Sequence, residues 1–301
     1  MTAERSVTLE LPLATGDETA QAPNRRRPPR SPIMVMGLAL LAYLALVAVV
    51  APLLTSHDPK AITGRALEEP SGRHLLGTDV PGRDIFAQLV HGTRTSLTVA
   101  VVSGSVAMTV AVLVGVLPVL LGGFVDWLST RLVVFLLALP ALPVLVLVGA
   151  FAGNKRLAGM LVIAFLGVAP NARILHGQAL SLRQRGFMAA ARGFGGGPFY
   201  VLRRHLVPGL APLIFVGFVN WAGVSIGLEA SLAFLGLGDP SGVSWGLMLN
   251  RALSQQAIYF SDMWIWWVMP AGLAIAVTVL SFTFVGIALE PSLNPRWLRS
   301  S

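Results

Sequence analysis

Glu229 is the one carboxyl group set well inside a long apolar run, from about Gly209 to Leu237. An acid within a membrane span costs on the order of 2.5–3.5 kcal/mol on insertion scales, so it must face protein or water rather than lipid. Ser225 precedes it by four residues and shares its helical face, and Asn220 lies further back in the same run. Two roles fit such an acid: lining a translocation pathway, or a structural hydrogen bond to a neighbouring helix. Just beyond it stands a formal nucleophile motif, Gly242-Val243-Ser244-Trp245-Gly246. That pattern works on a strand-to-helix elbow with a histidine and an acid as partners. Here it falls in a loop between apolar runs and reads as a chance match. His57, His74 and His91 lack metal-like spacing, so hydrated or locally hydrogen-bonded rings are expected and no metal site. Cysteine is absent, which excludes disulfides and thiol chemistry. The only lysines, Lys60 and Lys155, follow Pro59 and Asn154, so the chain carries no Gly-Lys-Ser/Thr phosphate loop. If ATP drives this protein, another polypeptide must hydrolyse it.

The elements that would position these residues are apolar. The chain is 54% hydrophobic and 12% charged, with a mean hydropathy of +0.72; soluble domains are about 25% charged. An all-α polytopic membrane protein is expected, with six spans. They are placed at 33–54, 96–121, 132–151, 157–175 and 209–237, with a sixth following Trp264, Trp266 and Trp267 to about Leu289. Residues 1–32 read as a disordered basic tail rather than a signal peptide, because the apolar run that follows is too long. Residues 55–94 balance five basic against five acidic side chains, as suits an external loop. A five-helix core spans 95–290, and 291–301 form a second tail. Ser103, Ala107, Ala111 and Gly115 recur every four residues, a small-residue stripe suited to close helix packing. Pro140 and Pro143 interrupt the third span, where a kink either lines the pathway or shapes packing. A short inner turn is expected from Gly122-Gly123 to Arg131, and an outer turn at Gly153–Arg156.

The net charge of +8 is carried almost wholly by arginine. It concentrates in the N-terminal tail and around 183–205, and no acid lies between Asp126 and Glu229. Membrane orientation and anionic lipid account for this better than nucleic acid does. Both termini are therefore expected on the cytoplasmic side. Within 187–208, FMAAARGFGGGPFYVLRRHLVP, strong helix formers give way to Gly195-Gly196-Gly197, and Pro198 is suited to restart a helix. A cytoplasmic helix, glycine turn and helix describe a docking element.

This stretch resembles the Glu-Ala-Ala loop of ABC importer permeases. Ala190 and Ala191 match the two alanines, Gly195 the glycine and Pro208 the closing proline, while Ala189 stands where Glu is usual. HLLGTDVPGRD from His74 and SLAFLGLGDPSGVSWGLML from Ser231 are similar to two further motifs of the dipeptide/oligopeptide/nickel permeases, C-type subunit. The resemblance runs from about 33 to 298. It implies a type I importer permease fold in a bacterial inner membrane and alternating access driven from outside the chain. Implied partners are a B-type permease, two cytoplasmic ATPase subunits that hold ATP and Mg, and an external substrate-binding protein; this chain itself binds no cofactor. Coupling would fall to Ala189, Ala190, Ala191, Arg192, Gly195, Gly196, Pro198, Arg203, Arg204 and Pro208. The pathway candidates are Glu229, Ser225, Asn220, Pro140 and Pro143. An ion-coupled secondary transporter is the alternative, but it would call for several intramembrane carboxylates.

Overall fold

The structure, a computed structural model, describes residues 32–151 and 156–289. The expected terminal tails and most of the Gly153–Arg156 turn lie outside the described residues. Helix α1 (Pro32–Leu54) is apolar on every side, and 23 residues at about 1.5 Å each are enough to cross a bilayer. Its buried positions, Gly37, Leu44 and Ala51, fall at sevenfold spacing. They form a narrow seam, whereas Leu46, Val49 and Leu53 are exposed.

Helix α2 (Ile85–Gly115) begins about ten residues before the expected second span. Asp84 is the reason: it takes an extended conformation and its side chain accepts the Ala87 N–H at 3.0 Å, an N-cap. The connecting segment is correspondingly shorter than the 55–94 loop expected. A break at Val116 leads to α3 (Leu117–Leu121), and Gly122 and Gly123, both with positive φ, redirect the chain. The expected inner turn is instead helical, because α4 (Gly123–Ala138) starts at once.

α4 and α5 (Ala141–Phe151) meet at 87°. The third span is thus a broken one rather than a single kinked helix over 132–151. Leu139 sits at ψ 127°, as a residue before proline is driven to do, and Pro140 cannot donate into the α4 ladder. Helix α6 (Arg156–Arg183) runs beyond the expected Leu175 end. Two short helices, α7 (Gly186–Gly193) and α8 (Pro198–Val201), precede a π-helical turn at Leu202–Leu206 and then α9 (Val207–Phe234). After α10 (Trp245–Leu253) and α11 (Met263–Trp266), helix α12 (Val268–Leu289) completes the described chain. Among the described residues, five segments are long and apolar enough to cross a membrane, and the bent α4–α5 pair would make a sixth.

α2, α6, α9 and α12 form the centre, with α1 laid against α12 and α2. The tightest approach is between α2 and α6. Ser103, Ala107, Ala111 and Gly115 are all buried, and the stripe meets α6 at both ends. The Ser103 hydroxyl donates to the Met160 carbonyl at 3.0 Å. At the other end, a Cβ on Gly115 would lie 2.5 Å from the Ala172 carbonyl oxygen. In lipid, where apolar burial drives no association between helices, such backbone approach is what holds them together.

A Gly115→Val substitution is therefore expected to destabilise the purified chain by about 1–3 kcal/mol through overpacking. Gly177→Ala on the open side of α6, where an added Cβ meets nothing within 4 Å, should not destabilise and should add up to about 1 kcal/mol from helix propensity. Unfolding midpoints in detergent measure both.

Candidate functional site: a two-faced helix–turn–helix and a cavity beside Glu229

The stretch between α6 and α9 folds as its composition requires. α7 ends in a Schellman arrangement: Gly195 adopts φ +85°, and the Gly196 N–H reaches back to the Ala191 carbonyl at 3.0 Å. Gly196 is also sterically fixed, since a Cβ there would come 2.6 Å from that same carbonyl oxygen. Gly197 then serves as N-cap, and Pro198 occupies the first turn of α8.

One face of this element is rooted in the core. Met188, Val201, Leu202 and Leu206 are buried in one cluster with Val119 of α3, Leu175 and Ala179 of α6, and Leu210 of α9. The Arg183 guanidinium donates to the Val119 carbonyl at 2.6 Å, tying the end of α6 to α3. The opposite face is apolar and open: Phe194 is 92% exposed, Phe199 69% and Tyr200 53%, with Phe187 beside them. Phe187, Phe194, Tyr200 and His205 line a shallow concavity with the three glycines. Arg203 and Arg204, both in the π-helical turn, are exposed, and Pro208 opens α9. Ala190 is exposed and Ala191 half-buried, while the side chains of Ala189 and Arg192 lie outside the described residues. The hairpin thus carries a patch of exposed aromatics on one face and a buried root on the other.

At the other end of α9, Glu229 borders a small cavity with Thr95, Val99, Arg156, Asp239 and Ser244. The buried Oε2 atom of Glu229 has no hydrogen-bond partner among the described residues. The other pathway candidates do not gather there. Ser225 is fully buried and bonded to the Trp221 carbonyl of its own helix. Asn220 packs against Gly286 of α12, and Pro140 and Pro143 are exposed at the α4–α5 bend. Ser244 is the N-cap of α10, accepting the Leu247 N–H at 3.3 Å, so the formal nucleophile motif has no elbow.

The segment before α2 holds the group that sequence reasoning passed over. Asp79 accepts from the Arg83 backbone and guanidinium at 2.8 Å and from Gln88 at 3.0 Å. Thr78 bonds both Arg65 and Glu68. His57 and His74 both turn Nδ1 toward Asp84.

Residues 107–299 match the family described as "Binding-protein-dependent transport system inner membrane component". The chain belongs to this family. Among its relatives is a peptide permease protein of Brucella suis biovar 1 (strain 1330), 34% identical over 295 residues, covering 97% of this chain and 95% of that one. A glutathione transport system permease protein of Pectobacterium atrosepticum is 35% identical over 233 residues, 77% of this chain and 76% of its own. A dipeptide transport system permease protein of Bacillus subtilis (strain 168) is 30% identical over 277 residues, covering 91% and 85%. The chain is a multi-pass permease component of the inner membrane and of an ABC importer.

Replacing Met188 by Asp should detach α7 from the core and speed tryptic cleavage after the arginines of 183–204 several-fold. Phe194→Asp, on the open face, should leave the cleavage rate unchanged. A timed digest of the detergent-solubilised chain reads both.

Proposed function

We propose that this permease forms half of an import pathway for di- and oligopeptides, and that the 186–208 element receives a separate ATPase. The observation that carries the reading is the two-faced hairpin: Met188 and Leu206 fully buried, Phe194 and Phe199 open to solvent. A buried root lets a push on the open face reach α3, α6 and α9 without bending the hairpin. The chain's lack of a phosphate loop is consistent with hydrolysis on a partner. The partners of this reading are a B-type permease, two cytoplasmic ATPase subunits holding ATP and Mg, and an external binding protein. The peptide substrate is supported by the names of the relatives, which include peptide, glutathione and dipeptide permeases.

In this mechanism, closure of the ATPase pair moves the hairpin and the rooted helices open outward. Peptide leaves the binding protein, enters the cavity shared by the two permeases, and is released inward after hydrolysis. Glu229, with a buried carboxylate oxygen at the end of α9 far from the hairpin, is the polar group placed to meet substrate at the outer mouth. The usual Glu at position 189 is replaced by Ala, so docking relies on the aromatic face and on Arg203 and Arg204. Both termini lie in the cytoplasm in this orientation.

Two measurements test the reading. Because the chain contains no cysteine, single cysteines introduced at Phe194 and at Ser241 report topology by labelling with a membrane-impermeant maleimide. Position 241 should label from outside and 194 only after permeabilisation; the reverse pattern refutes the orientation. In proteoliposomes holding all four kinds of subunit, Phe194→Asp with Phe199→Asp should cut binding-protein-stimulated ATP hydrolysis about tenfold or more, as loss of interface anchors does. Wild-type hydrolysis rates in that double variant overturn the docking assignment.

A further inference from the structure

His57, His74 and Asp84 are spread over a stretch of sequence from 57 to 84 yet meet at one point, at the end of the molecule away from the hairpin. Nδ1 of His57 and Nδ1 of His74 each stand 3.0 Å from the same atom, Asp84 Oδ2. One ligand atom from each of the three residues lies within 4.8 Å of the others. The rings are tilted by 32° with centroids 5.0 Å apart, so they converge rather than stack. His74 and Asp84 are buried, while His57 keeps its side chain 22% exposed and gives the point an opening to water.

The second carboxylate oxygen is already committed, because Asp84 Oδ1 accepts the Ala87 N–H that starts α2. Oδ2 therefore has both rings to itself. On its far side, His74 presents Nε2, a fully buried atom with no hydrogen-bond partner among the described residues. The group it faces is the Glu68 carboxylate, 4.0 Å away. The Glu68 carboxylate stands beyond hydrogen-bond reach here, and on metal binding it would close on Nε2, taking the N–H there and leaving the Nδ1 lone pair for the ion. With that tautomer, the His74 Nδ1 lone pair points directly at a carboxylate oxygen 3.0 Å away, a contact that a cation between them makes favourable. Donor atoms bound tetrahedrally at about 2.0–2.2 Å to one ion lie roughly 3.3–3.6 Å apart, so the two 3.0 Å nitrogen–oxygen separations would open by a few tenths of an ångström to admit it.

We propose that His57, His74 and Asp84 bind one divalent first-row transition-metal ion of the zinc class. Two imidazole nitrogens and one carboxylate oxygen supply three ligands, and water takes the open position beside His57. Such a donor set suits zinc and its neighbours rather than the oxygen-seeking magnesium or calcium. The ion would clamp three separate pieces of chain: the exit from α1 at His57, the loop at His74 and the N-cap of α2 at Asp84. It would thereby fix the outer end of α1 to the central helix. The proposal does not depend on what the protein transports.

The test uses the full chain in detergent, treated with chelator and titrated with Zn²⁺ against a chromophoric competitor. One zinc per chain should bind, with X-ray absorption showing imidazole ligands. His57→Ala, at the most accessible ligand, should weaken that binding by at least about tenfold while the chain remains monodisperse. Glu68→Gln should weaken it about 10–100-fold, the usual effect of removing a supporting carboxylate. His91→Ala should leave it unchanged, since His91 Nε2 is engaged with Thr55. Failure to bind zinc stoichiometrically, or equal binding by wild type and His57→Ala, overturns the site.

Discussion

The close approach of α2 and α6 is the constraint on which the rest of the molecule depends. It requires small side chains along α2, a backbone contact at Gly115 and Ala172, and a hydroxyl bridge from Ser103 to the Met160 carbonyl. Because lipid provides no apolar driving force for association, this seam must come from packing and hydrogen bonds alone. Its two helices also carry the two ends of the protein. α2 starts at the Asp84 cluster on one side, and α6 leads through Arg183 into the hairpin on the other.

The hairpin gains its meaning from having two unlike faces. A loop held only by charge would deform when pushed, and the push would be lost as local motion. Here Met188 and Leu206 are fully buried among side chains of α3, α6 and α9, and the glycine turn is fixed by the Gly196–Ala191 hydrogen bond. In the proposed coupling, the exposed aromatic face acts as a handle on the bundle. That division of labour suits a permease whose energy comes from another subunit.

The hairpin was legible in the sequence because its signals are local: helix formers, three glycines, then a proline. The α2 stripe was legible because its period of four repeats over four positions. The α4–α5 bend was half legible, since Pro140 announces an interruption but the right angle depends on Leu139 entering the extended region. The start of α2 was hidden by Gln88, His91 and Arg94, which read as loop residues. In the fold, Gln88 bonds Asp79, His91 bonds Thr55 and Arg94 is exposed. The His57–His74–Asp84 cluster had no periodic signal at all, because two irregular turns at Gly77 and Gly82 and a helix cap bring it together. The family motif that contains His74 and Asp84 marked the segment without disclosing its geometry. Glu229 was singled out as an acid that should face protein or water, and it borders a cavity with Ser244; Ser225 and Asn220 were grouped with it as polar residues of the same span and the two prolines as a helix kink, and the structure places these four away from that cavity.

The most direct test of the coupling account is a proximity measurement in the assembled transporter. A photo-crosslinking amino acid placed at position 194, on the open face of the hairpin, would be activated in proteoliposomes with and without ATP. The account predicts a covalent product joining this chain to the ATPase subunit, with a yield that changes on nucleotide binding. Crosslinks only to lipid, to the external binding protein or to the partner permease would contradict it.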